Sequence, residues 1–95
     1  MSKIIADGED LMITIEEIDG KITVLFNGEE DEALRENLDE IAALSPPMGG
    51  TFYPEPGTML SYYNALKNGY FFDWLTRIDI EGDIGEIPCE DGVIY

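Results

Sequence analysis

Leu11-Met12-Ile13-Thr14-Ile15-Glu16-Glu17-Ile18-Asp19-Gly20-Lys21-Ile22-Thr23-Val24-Leu25-Phe26 is the stretch that decides the fold. Leu11, Ile13 and Ile15 alternate with Met12, Thr14 and Glu16, and Ile22, Val24 and Phe26 alternate with Lys21, Thr23 and Leu25. A period of two places each set on its own face of a strand. Asp19-Gly20 between the runs accepts the positive φ angles of a type I′ turn, so the segment reads as a β-hairpin.

Upstream, Asp7-Gly8 suggests another turn after a short strand at residues 3–6. Downstream, Asn27 is expected to cap a helix over residues 29–44, with Glu30 three positions on to answer the cap. Leu34, Leu38 and Ile41 recur at helical spacing, and Ser45-Pro46-Pro47 ends the helix because proline donates no amide. A second helix is expected over residues 58–67, with Met59, Tyr63 and Leu66 on one face and Leu60 beside them. Asn68-Gly69 would stop it, and Lys67 would suit the dipole of its last turn. Residues 70–75 read as either a helical turn or a strand entry. Residues 76–82 set Ile78 and Ile80 against Arg77, Asp79 and Glu81, as in a strand with one wet face. The tail, with Ile84, Ile87, Val93 and Ile94, would lie along the sheet edge. These elements define one α+β domain over residues 1–95. Its antiparallel sheet has the order strand-strand-helix-helix-strand, with two helices packed on one face.

Composition narrows function mostly by exclusion. The 95 residues include 21 Asp plus Glu against 5 Lys plus Arg and no histidine, a formal net charge of -16. Such a chain repels phosphate, so direct binding to nucleic acid or to an anionic membrane is not expected. Zinc sites and catalytic triads built on imidazole are excluded with the imidazole. The hydrophobic fraction of 44% and aromatic fraction of 11% suffice for a core, so the chain folds despite its charge. No run reaches the roughly 18 apolar residues of a membrane span, and no leader-like stretch opens the sequence, which points to the cytoplasm. Cys89 has no partner for a disulfide, and Glu90 and Asp91 beside it oppose thiolate formation. Acyl carriers attach their arm to serine in an Asp-Ser-Leu setting, and neither Ser45 nor Ser61 has those neighbours. No enzyme activity and no cofactor are expected.

The helix over residues 29–44 carries the functional expectation. Glu29, Glu32, Glu36, Asp39 and Glu40 fall opposite its apolar side, with Arg35 the lone cation. Like charges at i and i+4 oppose helix formation, and unfavourable local choices gather at functional sites. The stripe is expected to bind a basic protein, a nuclease for example, by imitating phosphate. Alone it is sparser than duplex DNA, so either Glu9, Asp10, Glu16, Glu17 and Asp19, or the C-terminal acids, should adjoin it. Replacing Glu32, Glu36 and Asp39 by glutamine should slow association and leave the fold intact. Phe52 and Tyr53, in a Gly/Pro-flanked loop, are candidate interface aromatics. Phe71, Phe72 and Trp74 are expected in the core.

Asp79, Glu81, Asp83 and Glu90 invite comparison with a calcium loop. However, Ile84 stands where that loop needs glycine, Pro88 falls inside it and a strand leads in, so no metal site is assigned. No family motif is recognised along the chain. In size, charge and lack of catalytic residues it is similar in class to small inhibitors by which phages and mobile elements disarm restriction or CRISPR nucleases. The alternative is a structural or accessory protein that forms a homodimer through an edge strand and its aromatic patch, with acid serving solubility.

Overall fold

Asp19 and Gly20 both adopt positive φ, 52° and 79°, and close β2 (Met12–Ile18) onto β3 (Lys21–Phe26) in the expected hairpin. The structure is a computed structural model that describes residues 1–47, 52–68 and 72–85. β1 (Ser2–Asp7) precedes this hairpin, and β4 (Glu29–Glu30), α1 (Glu32–Leu44), α2 (Met59–Asn68) and β5 (Arg77–Glu81) follow it. The sheet order is β4-β3-β2-β1-β5, and every pairing is antiparallel. The chain meanders from β1 to β4, crosses one face through both helices, and returns as β5 at the opposite edge. This is the α+β fold expected, with β1 and β4 added to the strand-strand-helix-helix-strand order.

Register assigns every sheet residue to a face. Ile80, Ile4, Ile15 and Val24 lie opposite one another across four strands, and Ile78, Ala6, Ile13 and Phe26 form the next such row. Ile80 apart, these side chains meet Leu38 of α1, Met59, Tyr62, Ala65 and Leu66 of α2, and Phe72 in a single hydrophobic cluster. Intervening residues point away from the helices. Among them are Lys3, Ile5, Thr14, Glu16, Leu25, Asp79 and Glu81.

Two expectations about the first helix are corrected. Asn27 and Gly28 both have positive φ, 50° and 87°, and form a second hairpin turn between β3 and β4. The Asn27 amide donates to the Met12 carbonyl at 2.8 Å, and its side-chain oxygen accepts from the Met12 amide at 2.8 Å. Asn-Gly is a strong hairpin signal, and here it prevails over capping. The cap is Asp31, whose Oδ1 accepts from the Leu34 amide at 3.0 Å. Glu29 therefore belongs to an edge strand and lies outside the helix.

At the other end, the Ser45 hydroxyl donates to the Ile41 carbonyl at 2.6 Å, just before the two prolines. Thr58 caps α2: its hydroxyl accepts from the Ser61 amide at 3.2 Å, while the Thr58 amide donates to the Ser61 hydroxyl at 3.1 Å. The core face of α2 is set by Met59, Tyr62 and Leu66, with Tyr63 only partly buried. Residues 72–75 form a turn in which the Leu75 amide donates to the Phe72 carbonyl at 3.1 Å. The rings of Phe72 and Trp74 sit 6.2 Å apart at 60°. Of the remaining sequence expectations, those on Gly69, Tyr70, Phe71 and the tail from Glu86 onward lie outside the described residues.

Candidate interaction surface

Helical periodicity turns Leu34, Leu38 and Ile41 to the sheet and leaves Glu32, Glu36, Asp39 and Glu40 exposed on α1. From Glu32 to Glu40 the stripe covers about 12 Å of axis. Glu29 lies opposite Phe26 on the helix-bearing side of the sheet, and Glu30 lies opposite Leu25 on the other side. The acids at residues 29–40 thus divide: Glu29 extends the stripe toward the β4 edge, Glu30 leaves it, and Asp31 serves as the cap.

Arg35 is the single cation of α1, and it is half-buried. Its guanidinium is held charged more firmly than an ordinary arginine, chiefly by hydrogen bonding to Tyr62, with Glu32 and Asp39 adding to the effect. Tyr62 of α2 is only 1% exposed. Burial, then hydrogen bonding to Asp39, raises its phenol above the usual value, while Arg35 acts in the opposite direction. Arg35, Tyr62 and Asp39 therefore form a polar link between the helices. Asp39 is an exposed stripe residue that also acts on Tyr62, so its replacement by glutamine would alter the link between the helices as well as the surface.

Sequence reading missed Tyr62 because Met59-Tyr62-Leu66 and Met59-Tyr63-Leu66 satisfy a helical period equally well. The available signal was the Arg35/Asp39 pair at i, i+4. It offers a donor and an acceptor that suit a phenol and gain nothing from the Tyr63 position, which is stacked beneath Lys67 at 5.8 Å.

Among the described residues the hairpin and C-terminal acids do not reinforce the stripe as a group: Glu17, opposite Ser2, takes the helix-bearing face alone, and Glu86, Glu90 and Asp91 lie outside the described residues. Glu16, Asp79 and Glu81 point to the sheet face away from α1, where register sets Lys3 opposite both Glu16 and Glu81. Arg77 on the same face donates through Nε to Asp79 at 2.6 Å. Lys21 shares that face as well, by its alternation with Ile22 and Val24. Acids are thus interspersed with several cations on the open face of the sheet, whereas on α1 Arg35 is the one cation among them. Glu9 and Asp10 lie in the β1–β2 turn, at the end of the sheet that carries Asn27 and Gly28.

Two of the four calcium candidates are otherwise engaged, and Glu81 points to the open face of the sheet opposite Lys3. Asp79 is paired with Arg77, and Asp83 Oδ1 accepts from the Gly85 amide at 2.9 Å. Glu90 lies outside the described residues, as does Cys89. Among the described residues no group of three acidic or thiol side chains could hold a metal ion.

Phe52 and Tyr53 are 42% and 73% exposed, and Leu44 at the end of α1 is 80% exposed. Tyr53 also borders a cavity of about 680 Å³ between α1, α2 and residues 53–57. Among the described residues no helix is long and apolar enough to cross a membrane. Compared with family models, with curated proteins and with solved structures, the chain finds no match.

Proposed function

We propose that the chain is a non-enzymatic interaction protein whose α1 face occupies the basic groove of a nucleic-acid-binding protein, a nuclease being the favoured kind. The reading is that of a nucleic-acid mimic in the anti-restriction or anti-CRISPR class, acting in the cytoplasm. One observation carries it: Glu32, Glu36, Asp39 and Glu40 stand exposed along one side of α1, while Lys3, Lys21 and Arg77 point to the opposite face of the sheet and Lys67 lies over the Tyr63 ring. Arg35, the exception, is engaged by Tyr62. Glu32, Glu36, Asp39 and Glu40 give about one charge per 4 Å of helix. That is closer to a single phosphate strand, at about 3.4 Å per charge, than to duplex DNA. A groove that grips one strand is the better fit.

The test uses purified basic nucleic-acid-binding proteins, nucleases included, with association followed at low and high salt. A true partner loses its nucleic acid to the chain, and salt weakens the complex. The variant Glu32→Gln/Glu36→Gln/Glu40→Gln, which spares Asp39 and its bond to Tyr62, should associate several-fold more slowly. An unchanged association rate would exclude the stripe as the binding surface.

Exposed Phe52, Tyr53 and Leu44 support a second reading, a homodimer through an apolar patch. Sedimentation separates the two, because a dimer dispersed by Tyr53→Ser favours the second.

A further inference from the structure

The geometry points to the cavity beside the stripe as the seat of an arginine side chain supplied by the basic partner; this rests on the reading that the partner is basic. The cavity lies between the C-terminal half of α1 and the start of α2, with residues 53–57 as its third wall. Its volume, about 680 Å³, falls within the range of ligand pockets, roughly 300–1,000 Å³. That is room for a long side chain and the backbone bearing it.

The lining is chemically one-sided. Asp39 and Glu55 are its charged groups, and no cation of the described residues borders it. Ala43, Pro54 and Pro56 supply apolar wall, and Tyr53 presents an aromatic ring at the mouth. The buried polar groups are already satisfied. Asn64 donates to the Pro46 carbonyl at 3.1 Å and accepts from Asn68 at 2.6 Å, and the Ser61 hydroxyl donates to the Thr58 carbonyl at 2.7 Å. Hydrogen-bonding capacity for a visitor therefore resides in the two carboxylates.

These features select the occupant. An anion meets two carboxylates and a strongly negative chain. A neutral apolar group would strip water from Asp39 and Glu55 and return no hydrogen bond. A guanidinium brings several N–H donors and a positive charge to these carboxylates, and its weak hydration and planar face suit Tyr53 better than an ammonium would. Arg35 does not compete, because it is engaged by Tyr62 and does not border the cavity.

The experiment titrates the full chain with the peptide acetyl-Gly-Arg-Gly-amide and with its citrulline counterpart, which has nearly the same shape and no charge, and follows backbone amide shifts. The arginine peptide should move Asp39, Ala43, Tyr53 and Glu55 together and saturably, and the citrulline peptide should bind at least about tenfold more weakly. Glu55→Gln should weaken arginine binding several-fold without altering the melting temperature, and Tyr53→Ala should weaken it independently. Glu32→Gln/Glu36→Gln should leave it within about twofold. Shifts spread over remote acids such as Glu9 and Asp10, equal response to citrulline, or indifference to Glu55→Gln would each overturn the inference. If the stripe variant slows partner association but the peptide finds no seat, the cavity is not the anchor and the interface reading survives. If the peptide seats and the stripe variant changes nothing, the cavity stands and the stripe falls.

Discussion

Gly8 faces the indole of Trp74 so closely that a β-carbon at position 8 would lie 2.5 Å from Cε3 and 3.0 Å from the Trp74 carbonyl oxygen. The β1–β2 turn is therefore pressed against the segment that leads into β5. The Thr76 amide, which donates to the Asp7 carbonyl at 2.7 Å, fixes that approach. Gly8→Ala should destabilise the protein by about 1–3 kcal/mol through overpacking. Urea unfolding followed by far-ultraviolet circular dichroism measures it in every variant. Trp74→Leu in the Gly8→Ala background should recover part of the loss, and strict additivity of the two changes would contradict the contact.

Tyr62→Phe removes the hydroxyl shared by Arg35 and Asp39 and should lower stability by about 1 kcal/mol. A pH signature follows. Tyr62 titrates above its ordinary 10.0 in the folded chain, mainly through burial and then through Asp39. Its contribution is complete below the unfolded phenol's pKa and disappears as pH rises through the folded value. Above pH of about 10, wild type should lose stability more steeply than Tyr62→Phe. Parallel alkaline limbs would contradict this.

Capping of α1 by Asp31 predicts a loss of about 1 kcal/mol for Asp31→Ala and near-tolerance of Asp31→Asn. Asn27→Gly should be mild, since glycine accepts positive φ and only the bond to the Met12 amide is lost. Asn27→Val should be far worse, because a β-branched side chain resists that conformation. A helix-capping Asn27 would reverse the ranking of Asp31 and Asn27, so chemical denaturation of these variants discriminates directly.

Glu36 sits one turn from both Glu32 and Glu40, and the three repel one another. Glu36→Gln should stabilise the isolated protein by a few tenths of a kcal/mol while slowing capture by a basic partner. At a formal net charge of -16, added salt or divalent cations should raise the urea midpoint of wild type, and raise it less in the glutamine variant. Midpoints indifferent to salt would contradict the premise of charge repulsion.

Strong periodicity made most of the fold legible. Ile13, Ile15, Ile22 and Val24 declare both strands and their inward face, and Leu34, Leu38 and Ile41 declare the helix. What failed was arbitration between local signals of similar strength. Asn27-Gly28 fits a cap and a turn, and only the neighbouring Met12 backbone, fifteen residues away, decides for the turn. The acidic stripe was legible as a helix face, but its company was not. Strand register, which places Glu16 and Glu81 across the sheet from Glu36, follows from pairing and cannot be read from either strand alone. Tyr62 was hidden for a related reason, since its partners Arg35 and Asp39 lie on another helix.

Because β5 lies along β1, one flank of the first strand must wait for a partner made more than seventy residues later. A nascent chain on the ribosome therefore exposes the bare hydrogen-bonding edge of β1 after the hairpins have formed. Such an edge invites pairing with neighbouring chains. The same surplus of negative charge read above as a recognition surface would hold sister polypeptides apart during that interval.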